Sequence, residues 1–169
     1  AQNAGQLTMV LQQGDLTQNN NDAEWKLIQS AFTKLNNKVP YVLAAGNHDM
    51  GSTAGKYADV RNTEKYNQYF PVSKMNQLPG FGGVAEEGKM ENAFYTFKTG
   101  KVKWLVITLE FGPRNSILTW ADKVIRDHPK HTVIINTHCY LYSDSTRQGP
   151  GDHWRPQAYG VGKDTGDSA

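Results

Sequence analysis

The 169-residue sequence predicts an α/β fold built around a mixed central sheet. Short apolar runs alternate with an amphipathic stretch in the order β-α-β, a pattern that implies parallel pairing. Two later β-rich runs joined around Thr99-Gly100 read as an antiparallel hairpin. Three apolar runs also end in polar tips: Gly14-Asp15, Gly46-Asn47-His48-Asp49 and Thr137-His138. In open α/β sheets the ligand crevice lies beyond the carboxyl ends of the strands, so these tips are expected at one edge.

The elements follow in order. Residues 7–12 read as a strand that feeds Gly14-Asp15, and residues 22–35 as a helix with Trp25, Ile28, Phe32 and Leu35 on one face at steps of three and four. Asn21 or Asp22 is the expected N-cap. A second strand spans residues 41–45, followed by a loop around Met50-Gly51-Ser52 and a short helix over residues 63–69 that Pro71 stops. Residues 71–91 include Pro79-Gly80-Phe81-Gly82-Gly83 and lack periodicity, which predicts a long surface loop. The hairpin then takes residues 92–98 and 101–110, and Ile117, Leu118, Ala121, Val124 and Ile125 mark a second amphipathic helix started at Asn115 or Ser116. Pro129 lies past its end, and residues 132–137 form a strand expected to be buried on both faces. Residues 139–169 carry no usable pattern, which predicts a functional loop that also marks an interruption of the domain.

Composition narrows the classes. A chain of this length is one domain by size, able to bury about 70% of its extended-chain surface. Hydrophobic residues at 38% and charged residues at 20% are those of a soluble globular domain. The net charge is only +2 and the basic residues are scattered, so a specific nucleic-acid footprint is not expected. The single cysteine, Cys139, forms no intrachain disulfide and reads as a small buried hydrophobe. No apolar run is long enough for a membrane span. No signal peptide is visible, and export stays open.

Aspartate, asparagine and histidine brought together at strand ends are hard-to-borderline ligands, suited to Mn, Fe, Zn or Ni, so the residues themselves point to a metallohydrolase. An amide oxygen such as that of Asn47 binds a cation without adding the negative charge a second aspartate would bring. Taken singly, Gly14-Asp15 and Gly46-Asn47 are also ordinary turns, and His138 an ordinary core histidine. His128 and His131 flank Pro129 at the opposite edge and read as surface residues. Glu110 and Arg114 read as a structural pair where the second helix begins. Arg147, Trp154 and Arg155 lie with His153 and Tyr159 in the loop after His138. They suit either contact with a phosphorylated substrate or a loop packed by its own aromatics.

In their order and at their element ends, Gly14-Asp15, Gly46-Asn47-His48-Asp49 and Thr137-His138 resemble the calcineurin-like metallophosphoesterases. The blocks of that superfamily are D-x-H, G-D, G-N-H-[DE], a lone strand-end H, and G-H-x-H. The middle blocks are present here and the outer two are not. The resemblance covers most of the chain, so residues 1–169 are expected to be one partial phosphoesterase domain, an α/β sandwich incomplete at both ends. It implies hydrolysis of phosphoric mono- or diesters at a dinuclear centre of divalent or trivalent transition-metal ions, with a bridging hydroxide as the attacking group. It further implies that Asp15 bridges the two ions and that Asn47 and His138 hold one of them. His48 would contact phosphate and protonate the leaving oxygen, with Asp49 setting its tautomer and raising its pKa. The truncated chain alone is then expected to be inactive. The alternative is a non-catalytic phosphate-binding or interaction module of the same fold. Monoester, diester and nucleotide substrates all stay open.

Overall fold

A computed structural model describes residues 7–163. Its architecture is α/β, with a parallel pair β1(Val10–Gln12)–β2(Tyr41–Leu43) beside a four-stranded mixed sheet in the order β3-β4-β5-β6. The four strands are β3 (Phe81–Val84), β4 (Ala93–Thr99), β5 (Val102–Thr108) and β6 (Thr132–Asn136). The β4–β5 hairpin is antiparallel and β5–β6 is parallel, with Val106 opposite Ile134. Side chains join the two sheets: Asn136 donates to the Gln12 carbonyl at 2.9 Å and Thr108 to the Leu43 carbonyl at 3.1 Å.

Helix α1 (Asp22–Thr33) connects β1 to β2 as the apolar spacing predicts. Asn21 caps it by accepting the Glu24 N–H at 3.0 Å, satisfying one orphan donor of the first turn. Trp25 is fully buried, stacked on Tyr69 and edge-on to Tyr66 and Phe70. These aromatics come from α2 (Glu64–Tyr69) and the residue after it, so the first core is largely a ring cluster over β2. Strand β5 divides the interior by its period of two: Val106 faces that core, whereas Leu105 and Ile107 face Ile117, Ala121 and Val124 of α4 (Asn115–Asp127).

Three expectations change. Residues 71–91 are not a surface loop: they form the turn of helix α3 (Val72–Met75) and the strand β3, with Met75 and Met90 buried. The glycines there are a packing feature, because the Phe94 ring lies over Gly82 so closely that a Cβ would fall 2.1 Å from it. Strand β6 is an edge strand rather than one buried on both faces, and Ile135 is 46% exposed. The described part of the last segment is ordered, with a short pairing of Leu141 opposite Arg147, turns of 3-10 helix at Pro156–Ala158 and Gly160–Lys163, and a fully buried Val161. His128 and His131 are half-buried, edge to face with one another, and His128 Nδ1 lies 2.7 Å from the Val124 carbonyl at the end of α4. Among the described residues no helix is long and apolar enough to cross a membrane.

Candidate functional site

Each predicted tip follows its strand, and the three meet. After β1 the chain turns through Gly14 (φ 96°) and Asp15 (φ 53°), a left-handed pair that glycine adopts freely and aspartate tolerates. Gly14 lies flat against the His138 ring, where a Cβ would sit 2.5 Å from Nδ1. After β2, Gly46 passes so near Asp15 that a Cβ would fall 2.2 Å from its Oδ1 and 2.3 Å from its backbone nitrogen. The glycines before Asp15 and Asn47 are therefore a condition of loop-to-loop contact.

Three acceptor-bearing side chains converge. His138 Nε2 lies 3.1 Å from Asn47 Oδ1 and 3.3 Å from Asp15 Oδ2. The His138 Nδ1 faces the Gln13 carbonyl at 2.8 Å, and because a carbonyl only accepts, that nitrogen carries the proton. A neutral ring then turns the Nε2 lone pair toward two oxygens that also offer lone pairs, an arrangement that needs a proton or a cation at its centre. Burial alone would raise the Asp15 carboxyl, but its hydrogen bond and charge interaction with His138 outweigh this and hold it below the ordinary carboxylate range. Burial lowers His138, whereas the Asp15 bond and charge raise it and prevail. Asn47 is oriented from its other end, donating from Nδ2 to the Tyr159 hydroxyl at 3.3 Å, with the Tyr159 ring edge-on to Phe111.

His48 and Asp49 complete a turn of 3-10 helix, Asn47–Asp49. The His48 N–H donates to Asp15 Oδ1 at 3.0 Å, linking the two loops again. Its ring stacks on Tyr57 at 4.0 Å, and Nδ1 donates to the Gln18 carbonyl at 2.8 Å, which leaves Nε2 without a hydrogen bond among the described residues. This corrects the expected division of roles, because Gln18 rather than Asp49 sets the His48 tautomer. The Asp49 carboxylate is turned inward and accepts from Gly46 N (2.9 Å), Leu16 N (2.9 Å), Thr17 N (2.8 Å) and the Thr17 hydroxyl (3.0 Å). Burial pushes that carboxyl up to about 6, against the downward pull of these donors. It clips the Asp15 loop to the Asn47 loop.

The remaining candidates divide between two neighbouring cavities. Trp154 joins Asn47, Phe111 and His138 around one of 240 Å³. Arg147 and Arg155 line a second, of 730 Å³, on the other side of Cys139 and Gln148. Burial raises the Cys139 thiol to about 11, and its Sγ contacts Gln148 Oε1, which fits a packing role rather than a nucleophilic one. Gln13, Gln18 and Tyr57, which orient the two histidines, carry no signal in the sequence: two act through backbone carbonyls, and Tyr57 lies in a loop.

Among the described residues no group of three or more His, Cys, Asp or Glu side chains is placed to hold a metal ion, and the third donor of the convergence is the Asn47 amide. Compared with known proteins, residues 2–164 match the family model for calcineurin-like phosphoesterase. The chain is also similar to the Bacillus subtilis (strain 168) protein named "Uncharacterized protein YvnB", 22% identical over 145 residues. That alignment covers 85% of this chain and 11% of YvnB, so the chain spans about a tenth of that relative's length. No solved structure gives a significant match.

Proposed function

From the premise that this chain belongs to the calcineurin-like phosphoesterase family, we propose that its strand-end cluster is part of the active site of a metal-dependent phosphoesterase acting on phosphoric mono- or diesters. The observation that carries the proposal is the meeting of Asp15 Oδ2, Asn47 Oδ1 and His138 Nε2 within 3.1 and 3.3 Å, with His138 Nδ1 committed to the Gln13 carbonyl. The donor set fits a borderline transition metal: one carboxylate, one neutral amide, and one imidazole whose tautomer is fixed by a partner behind it. Mn, Fe, Zn and Ni all suit it. Asn47 and His138 would hold one ion, and Asp15 would serve that ion and a second. Such ions, when bound, lower the pKa of water and neutralise charge on the phosphoryl oxygens.

The chain's own groups then have separable tasks. His48 presents Nε2 on a ring held by Tyr57 and Gln18, placed to contact phosphate and to return a proton to the departing alcohol. Asp49 positions rather than reacts, because its oxygens face backbone donors. Metal content by plasma emission, on the full-length protein and its variants, tests the ligand set. Asp15→Asn should lose metal most completely, while Asn47→Ala and His138→Ala should lose about half, and each loss should track hydrolysis of p-nitrophenyl phosphate and its bis ester. Wild-type stoichiometry in Asp15→Asn would overturn the ligand assignment. Full metal loading without hydrolysis of either ester would favour a phosphate-binding module instead.

A further inference from the structure

The 730 Å³ cavity shares two wall residues, Cys139 and Gln148, with the cavity that opens on Asn47 and His138. Its floor is apolar. Leu109 and Pro113 lead into α4, Leu118 on that helix is 39% exposed, and Ile135 on the edge strand β6 is 46% exposed. Its charged lining residues are two arginines, Arg147 and Arg155, with no carboxylate among them. The pairing of Leu141 with Arg147, supported by Tyr142 N to Thr146 O and Gln148 N to Tyr140 O at 2.9 Å each, brings Arg147 to the rim. Arg155 is half-buried just before the Pro156–Ala158 turn.

Neither guanidinium has a hydrogen-bond or ion-pair partner among the described residues. The acids of the same loop are otherwise engaged: Asp152 accepts the Gly149 N–H at 2.7 Å, and Asp144 accepts from the Thr146 N–H and hydroxyl. Two arginine forks, unpaired among the described residues, over a partly exposed apolar floor make a site for a group that is apolar on one side and anionic on the other. Resting on the phosphoesterase reading, we propose that this cavity is the subsite for the alcohol portion of the substrate. It would select esters whose leaving group carries an apolar body and a second anionic group. The shared wall puts that group beside the phosphoryl position, and the two arginines hold its charge away from Asp15.

Binding measured with chelator present separates this proposal from the hydrolytic one, since an Asp15 site without metal repels anions. The probe is 2-naphthalenesulfonate, an apolar ring with one stable anion, titrated calorimetrically into the full-length protein. Saturable binding is expected, at least about tenfold tighter than that of neutral 2-naphthol or of sulfate, because a charge-assisted bond is typically worth that factor or more. Arg147→Gln with Arg155→Gln should bring the sulfonate down to the naphthol level, and Ile135→Thr should weaken sulfonate and naphthol alike. Unchanged sulfonate affinity in the double arginine variant, equal affinity for naphthol, or no saturable binding would overturn the proposal. Sulfonate binding in a protein that hydrolyses no ester would remove the phosphoesterase reading while leaving the anion-binding cleft. Ester hydrolysis without sulfonate binding would do the reverse.

Discussion

Gly46 shows how little side-chain volume the junction of the Asp15 and Asn47 loops can accept. A methyl at this position would overlap both the carboxylate and the backbone nitrogen of Asp15, and backbone cannot step aside as a flexible side-chain tip can. Gly46→Ala should therefore displace Asp15, lower metal content sharply, and cost about 1–3 kcal/mol of stability, the usual range for overpacking. Plasma emission and urea unfolding measure the two effects, and a variant with full metal content would contradict this account of the close approach. His48→Ala should do the opposite. Its ring touches Tyr57 and the Gln18 carbonyl rather than any ligand side chain, so metal content should stay near wild type while turnover of an alkyl phosphate falls by about 10²–10⁴. The loss should shrink on p-nitrophenyl phosphate, whose leaving group departs without a proton, and equal losses on both esters would rule out proton donation. The meeting of Asp15, Asn47 and His138 was legible in the sequence because each sits a few positions beyond an apolar strand. The role of Asp49 was not, because its partners Leu16 and Thr17 lie 33 and 32 positions away, and no local pattern encodes a bond of that span.

Between elements, α4 starts at Asn115 as the sequence predicts, and its N-terminus is set by charge rather than by a side-chain cap. Arg114 occupies the cap position and its guanidinium reaches back to Glu110 at 2.9 Å and across to Glu86, in the turn between β3 and β4, at 2.5 Å. The Arg114 hydrogen bond holds the Glu86 carboxyl below its ordinary 4.5, outweighing the upward push of burial. For an acid whose folded pKa is depressed, the linked stability is present above the unfolded value and is lost as pH falls through the folded one. Glu86→Gln should then lower the urea midpoint above pH 4.5, with the difference from wild type closing progressively below it. A gap that persists undiminished in acid would assign the effect to packing. The pairing of Glu110 with Arg114 was readable from their place at the entry to the second helix, and α1 and the β4–β5 hairpin from their periods. Strand β3 was not, because Gly82 and Gly83 imitate loop composition while serving the Phe94 ring, a contact visible only once β4 lies alongside.

At the scale of the whole molecule, one buried charge network joins parts of the chain that the hydrophobic clusters leave separate. Glu110 is wholly buried and accepts from Asn92 at 3.0 Å, from Arg114 at 2.9 Å, and from Arg61, whose Nη1 stands 3.3 Å away. Arg61 comes from the loop after β2, and it also donates to the carbonyls of Phe111 (3.0 Å) and Val161 (3.1 Å). One side chain thus connects the loop that follows the Asn47 turn, the end of β5, and the segment that supplies Tyr159 to Asn47. Arg61→Gln would leave Glu110 with less compensation in a dry site and would free two buried carbonyls, a change expected to cost about 3–5 kcal/mol. The Val161 carbonyl is a contact of the last segment, so the loss should not be uniform. Hydrogen exchange should accelerate first over residues 139–163, ahead of β4 and β5, because a segment held by few buried contacts opens sub-globally before the sheet does. Loosening that segment removes the Tyr159 hydroxyl from Asn47, so metal retention against a chelator should fall even though Arg61 touches no ligand. Exchange that rises equally in the sheet and in residues 139–163 would mean that Arg61 supports the fold as a whole. Faster exchange confined to that segment, with faster metal loss, would identify it as the strap that holds Asn47 in place.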